Sequence, residues 1–209
     1  DIDGKPIVER KGKLVEVNAL WYNSLRAMEQ YSEILGRDRE CKEYGSLAER
    51  SRKSFQDLFW CDKGYLFDWV DDKRREESVR CNQILAVSLP ASVMDPERGR
   101  SIVETCWNEL YTTFGLRTLD PHHEKYKGRC EGRIDQREKA RFMGMAWPWL
   151  LGQFITAYLR YNPDRKDIGW CFLRPFLSHL RKGCLGGVAE IFDGSMPYKP
   201  HGDALYSPS

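Results

Sequence analysis

The chain predicts an all-α fold. Apolar residues recur at helical spacing over about six stretches. Several of these stretches carry their own start and stop signals, and little of the sequence alternates as a strand would. The first clear helix is predicted over about 15–35, with Trp21, Leu25, Met28, Tyr31 or Ser32, and Leu35 on one face and Gly36 closing it. A second runs over about 39–59, with Tyr44, Leu47, Ser51, Phe55 and Leu58 on its apolar side. Gly64–Asp68 alternates like an extended segment, and the charge run from Asp71 to Glu77 reads as a solvated loop.

A third helix is expected from near Asn82 to just before Pro90. The fourth has a clear entry, with Asp95 as N-cap, Pro96 at the first helical position and Glu97 in an acidic first turn. Its apolar face is Ile102/Val103, Cys106/Trp107, Leu110 and Phe114, and Gly115 closes it. Residues 116–136 read as a long irregular loop, and loops of that length in a compact domain often carry function. A fifth helix is expected over about 137–161, with Pro148 marking a start or a kink. A sixth is expected over about 165–182, with Pro175 in its body. Helical hairpins joined by alternating short and long loops suit a toroid, a solenoid or a bundle. The lack of a fixed-period repeat disfavours the common repeat arrays.

Composition narrows the function. With 209 residues the chain suffices for one domain with a sizeable core, and 41% hydrophobic with 31% charged residues is a globular profile. A net charge of +2 suggests no nucleic-acid or membrane-surface partner. No apolar run is long enough to span a bilayer. The 7 cysteines are scattered without a C-x-x-C pair. Free thiols in a reducing compartment, the cytoplasm, are therefore expected, with no metal site and no cofactor. The 7 tryptophans belong partly to the core, but flat rings also stack on the apolar faces of sugars.

The glycine-rich stretch 183–202 contains Glu190 beside Ile191 and Phe192. A carboxylate in apolar surroundings is partly desolvated, one route to a working acid or base, although an ordinary turn with a solvated glutamate fits the same residues. Other polar groups in apolar settings are equally open singly. Trp21 at helical spacing could be core or sugar platform, and Arg80 and Arg117 could anchor loop carbonyls or clamp a ligand.

In order, however, these segments form a pattern. GKLVEVNALWYNSL (12–25), FW…GYLFDWVDD (59–72), SVRCNQILAVSLP (78–90), FGLRTLDP (114–121), Tyr126-x-Gly128, GMAWPWLLGQFITAY (144–158) and AEIFDGSMPYKPHG (189–202) are collinear over essentially the whole chain. Together they resemble the C-terminal catalytic domain of glycogen debranching enzymes, the amylo-α-1,6-glucosidase module.

The resemblance implies an (α/α)6 toroid, of which about half would lie in a single partial domain over residues 1–209, truncated at both ends. The start at Asp1 without methionine and the stop at Ser209 after a Gly/Pro-rich turn fit that expectation. It also implies inverting hydrolysis of α-1,6-linked glucose at branch points of an α-glucan such as glycogen. Glu190, in the place of the family's S-E-I-F-D-G glutamate, would be the general base. Asp68, Arg80, Asn82 and Arg117 would be polar walls, and Trp21, Trp147 and Trp149 aromatic walls. The family's acid, an aspartate in a T-W-M-D motif, is not in this sequence, so the acid is expected outside the chain.

Three departures stand out. Ala189 replaces the motif's serine. Arg141, Phe142, Met143, Gly144 and Met145 occupy the places of Tyr-His-x-Gly-Thr. Tyr198 replaces a histidine after Pro197. Loss of hydroxyl-pairing groups at such places weakens or redirects sugar recognition, so a glycan-binding relative without catalysis is the alternative.

Overall fold

A computed structural model describes residue 4, residues 6–182 and residues 186–202. Asp1, Asp3, Gly183, Cys184 and Asp203 lie outside the described residues. Helix α1 (Val15–Ile34) and helix α2 (Asp38–Phe59) form a hairpin closed at Gly36, and Arg26, paired with Glu29 on its own helix at 2.7 Å, bridges to Glu49 on α2.

The face that α1 buries is a correction to the expected stripe. Leu25 and Ser32 of that stripe pack inward with Val15, Ala19 and Tyr22, while Trp21, Met28, Tyr31 and Leu35 are exposed. Apolar residues occupy two sides of this helix, and periodicity alone does not say which side meets α2 and the next helix. In α2, Ala48, Phe55 and Phe59 are buried, with Tyr44 and Leu58 packed at the margin.

Two short antiparallel ladders follow. Strand β1 (Lys13–Leu14) pairs with β4 (Trp69–Val70), and β2 (Trp60–Cys61) pairs with β3 (Tyr65–Leu66) within the stretch expected to be extended. A 3-10 turn over Cys81–Ile84 leads into the short helix α3 (Leu85–Ser88), and helix α4 (Pro96–Thr105) starts as expected. Asp95 Oδ1 accepts the Arg98 amide hydrogen at 2.9 Å, offsetting one of the donors a helix start leaves orphaned. A wider π-type turn, Cys106–Leu110, ends this helix earlier than its apolar pattern suggests.

The larger correction is a five-stranded antiparallel sheet, which makes the fold mostly helical rather than strictly all-α. Its order is β5 (Tyr111–Thr112), β6 (Gly115–Arg117), β7 (Ala146–Trp147), β8 (Ile191–Phe192) and β9 (Pro200–His201). Each strand has only two or three residues, too few for a period of two to show in sequence. The expected fifth helix is accordingly two helices, α5 (Ile134–Phe142) and α6 (Leu151–Tyr161), split by β7 and a 3-10 turn at Pro148. Gly144, with φ at +146°, makes the break, because a β-carbon there would strike the Tyr126 ring. Helix α7 (Ile168–His179) retains Pro175 inside it.

The core runs from the α1–α2 hairpin through α3 and α4 to α6. At its far end the rings of Trp107 and Tyr111 stack at 4.9 Å, with Phe172 edge-on to both. Among the described residues no helix is long and apolar enough to cross a membrane.

Candidate active site

A cleft of about 350 Å³ opens where the segment before β1, the start of α1, the turn at Cys81 and the end of α5 meet. Arg80, Asn82, Trp147 and Trp149 line it, together with Glu16, Arg10 and Phe142. Four residues singled out from sequence are thereby brought together, and Glu16 and Arg10 join them unforeseen. The one signal that could have found Glu16 is a charge set between Val15 and Val17 at a helix start.

One wall is an electrostatic lattice. The Arg10 guanidinium donates to Asp68 through Nε at 2.7 Å and Nη2 at 2.9 Å, and to Glu16 through Nη1 at 2.6 Å and Nη2 at 2.7 Å. Burial pushes the Arg10 guanidinium down, but the two carboxylates outweigh it and hold it above its ordinary value. Asp68 is 2% exposed, so its carboxylate braces the wall from behind and does not face the cleft. Burial raises the Asp68 carboxyl above its usual range against the pull of Arg10 and Arg80.

Arg80 is itself buried. Its Nη1 donates to the Phe142 carbonyl at 2.9 Å and the Thr118 carbonyl at 3.1 Å, and burial lowers its pKa although Asp68 stands 3.7 Å away. Arg117 holds three carbonyls, Gly194 at 2.7 Å, Glu109 at 3.1 Å and Tyr111 at 3.2 Å, and does not line the cleft. Trp21 lies in a separate groove with Asn18 and Arg50 and is 57% exposed.

Glu190 sits just before β8, beyond Trp147, and reaches the cleft wall through Arg141. Arg141 Nη2 donates to Glu190 Oε1 at 2.5 Å, and the Trp147 indole N–H donates to the Arg141 carbonyl at 2.8 Å. The sheet brings them together, since Ala146 and Phe192 are partners across β7 and β8. On its other side Glu190 lies against Gly202. The Glu190 side chain is 21% exposed, open enough to meet a water.

Two other arrangements carry less chemistry. Ser78 Oγ is 3.3 Å from His123 Nε2, but His123 Nδ1 accepts the Lys125 amide hydrogen at 3.1 Å. The ring proton is therefore on Nε2, and Ser78 donates to Glu76, so His123 is not placed to take this hydroxyl's proton. A hollow of about 540 Å³, lined by Phe114, His179, Phe192 and Tyr198, has no carboxylate on its wall among the described residues. Among the described residues no three His, Cys, Asp or Glu side chains converge as metal ligands would.

Helical hairpins thus frame a tryptophan- and arginine-walled cleft with a glutamate at its margin. The chain belongs to the amylo-alpha-1,6-glucosidase family, whose model matches residues 1–207. Among solved structures it is similar to a sialidase (TM-score 0.74, 14% identity, 96% of this chain and 19% of that one). It is also similar to the neutral trehalase Nth1 from Saccharomyces cerevisiae (TM-score 0.64, 16% identity, 89% of this chain and 34% of that one). The helical part thus shares the architecture of (α/α)6 toroid glycosidases. The chain spans about a fifth and a third of those two chains' lengths. No curated protein matches it in sequence.

Proposed function

We propose that this domain takes part in hydrolysing α-1,6-linked glucose at branch points of an α-glucan, with inversion and with Glu190 as general base. Family membership across residues 1–207 supports this reading, as does the resemblance of Ala189–Gly194 to the family's S-E-I-F-D-G motif. In the proposed step Glu190 accepts a proton from water as the water oxygen bonds to the anomeric carbon. The glycosidic C–O bond breaks, and its oxygen takes a proton from a carboxylic acid on the opposite face. An inverting pair stands roughly 6.5–9.5 Å apart to admit that water.

The acid is proposed to come from a segment outside residues 1–209, which would form about half of a toroid. Val17, Trp21 and Met28 on α1, and Trp170, Leu173 and Leu177 on α7, leave apolar stripes exposed that further helices of such a toroid would cover. The proposed substrate contacts are Trp147 and Trp149 as stacking platforms and Asn82 as a hydroxyl partner. Arg80 forms part of the wall, Asp68 and Arg117 support the walls from behind, and Trp21 meets substrate only if the glucan extends along α1. The six described cysteines are free thiols, in keeping with a proposed cytoplasmic setting.

Glu190→Gln in the intact protein is expected to lower glucose release by about two orders of magnitude or more while leaving the fold unchanged. Near-normal release would sink the assignment. A second reading, glycan binding without catalysis, draws on Phe142 and Met145 in the places of hydroxyl-pairing groups. Calorimetry with a branched malto-oligosaccharide would then show binding, and a parallel assay no release.

A further inference from the structure

Glu190 is held from two sides, and one holder is a cation for which the hydrolytic step above has no use. Arg141 projects from the last turn of α5, where its Nη2 lies 2.5 Å from Glu190 Oε1. The same guanidinium is fixed from other directions. Its Nε stands 3.9 Å from Glu138 one helical turn back, and its central carbon lies 5.6 Å from the Trp147 ring centre. The main chain of Arg141 is fixed as well, by the Trp147 indole hydrogen bond. One residue therefore ties the carboxylate to the aromatic wall of the cleft.

We propose that Arg141 is a positioning residue for the Glu190 base. This rests on reading Glu190 as that base. With Oε1 occupied by the guanidinium, Oε2 is the oxygen left to accept the proton from water. Gly202 packs against this oxygen through its backbone alone, since a β-carbon there would overlap Oε2. A planar guanidinium fixes the plane of a carboxylate in a way a point charge does not. An exposed ion pair between two long side chains is usually expendable. This one is about four-fifths covered on both partners and is braced by a ring and a second carboxylate.

The test is steady-state glucose release from a branched malto-oligosaccharide by the intact protein, comparing wild type with Arg141→Ala, Arg141→Lys, Glu190→Gln and the Ala/Gln double variant. Misplacing a reacting group by about 1 Å costs on the order of 100-fold. Arg141→Ala is accordingly expected to lower kcat about 10- to 100-fold with KM within about three-fold. Arg141→Lys should recover part of that loss, and the double variant should be no worse than Glu190→Gln alone. An unchanged kcat, or a loss confined to KM, overturns the positioning role. Should Arg141→Ala fail to fold, the lysine variant alone decides, because full activity in it removes the need for the planar fork. Turnover retained by Glu190→Gln, or no release by wild type, instead overturns the base assignment itself.

Discussion

Gly202 lies flush against Glu190: a β-carbon at position 202 would stand 2.8 Å from Glu190 Cβ and would overlap its Oε2. The φ of Gly202, +76°, is also in the left-handed region. Gly202→Ala should therefore cost about 1–2 kcal/mol from backbone strain alone. It should also push the carboxylate off its place, so that glucose release falls further than the melting temperature predicts. Thermal denaturation and turnover measured on one preparation check both.

Removing Arg10 leaves Asp68 buried without its principal partner. Breaking a buried pair from one side typically costs about 3–5 kcal/mol, and Arg10→Ala is expected within that range by urea unfolding. The Arg10/Asp68 double replacement by apolar residues should be milder than either single change. A loss below about 1 kcal/mol for Arg10→Ala would show that the lattice does not brace the wall.

His179 supplies a pH dependence. Its Nε2 accepts the Ala189 amide hydrogen at 3.1 Å, which requires a neutral ring, and burial, aided by Lys182, lowers its pKa below the ordinary 6.5. A depressed folded pKa means that the folded state binds fewer protons than the unfolded chain. The His179 contribution is then fully present above 6.5 and is lost as pH falls from there through the depressed folded value. Unfolding free energies of wild type and His179→Phe should converge over that acidic window. Parallel curves would contradict the linkage.

Arg117 and Trp149 separate structural support from proposed sugar contact. Arg117→Ala frees three carbonyls from a cationic donor, so stability should drop by roughly 2–3 kcal/mol while KM barely moves. Trp149 is 39% exposed in the cleft wall. Its loss to alanine should leave stability nearly unchanged and raise KM about five-fold, the equivalent of about 1 kcal/mol of stacking.

The helices were legible wherever caps and period coincided, as at Asp95–Pro96 and Gly36. They were not legible where β7 interrupts the stretch 137–161, because Ala146 and Trp147 are shared between a helical pattern and a strand too short to declare itself. The same limit hid the sheet that brings Glu190 to Trp147. Side chains whose partners come from distant segments were harder still. Nothing near Arg10 in sequence announces Asp68, 58 positions away, or its own place in the cleft. The part of the α1 stripe that failed did so because Trp21 and Tyr22 are adjacent aromatics and only tertiary packing chooses between them.

The β7–β8 pairing also bears on how such a domain can diverge. Ala146 faces Phe192 across the ladder, so everything between them, α6 and α7 included, is a detour that begins and ends at one point. Residues can be added to the loop between α6 and α7 without changing the spacing of Trp147 and Glu190, while α6 itself stays packed in the core. A single residue inserted between Glu190 and Phe192 would instead turn the glutamate toward the opposite face. Loop length and site geometry are thereby uncoupled, leaving the connecting loops free to drift around a pair of short strands that cannot.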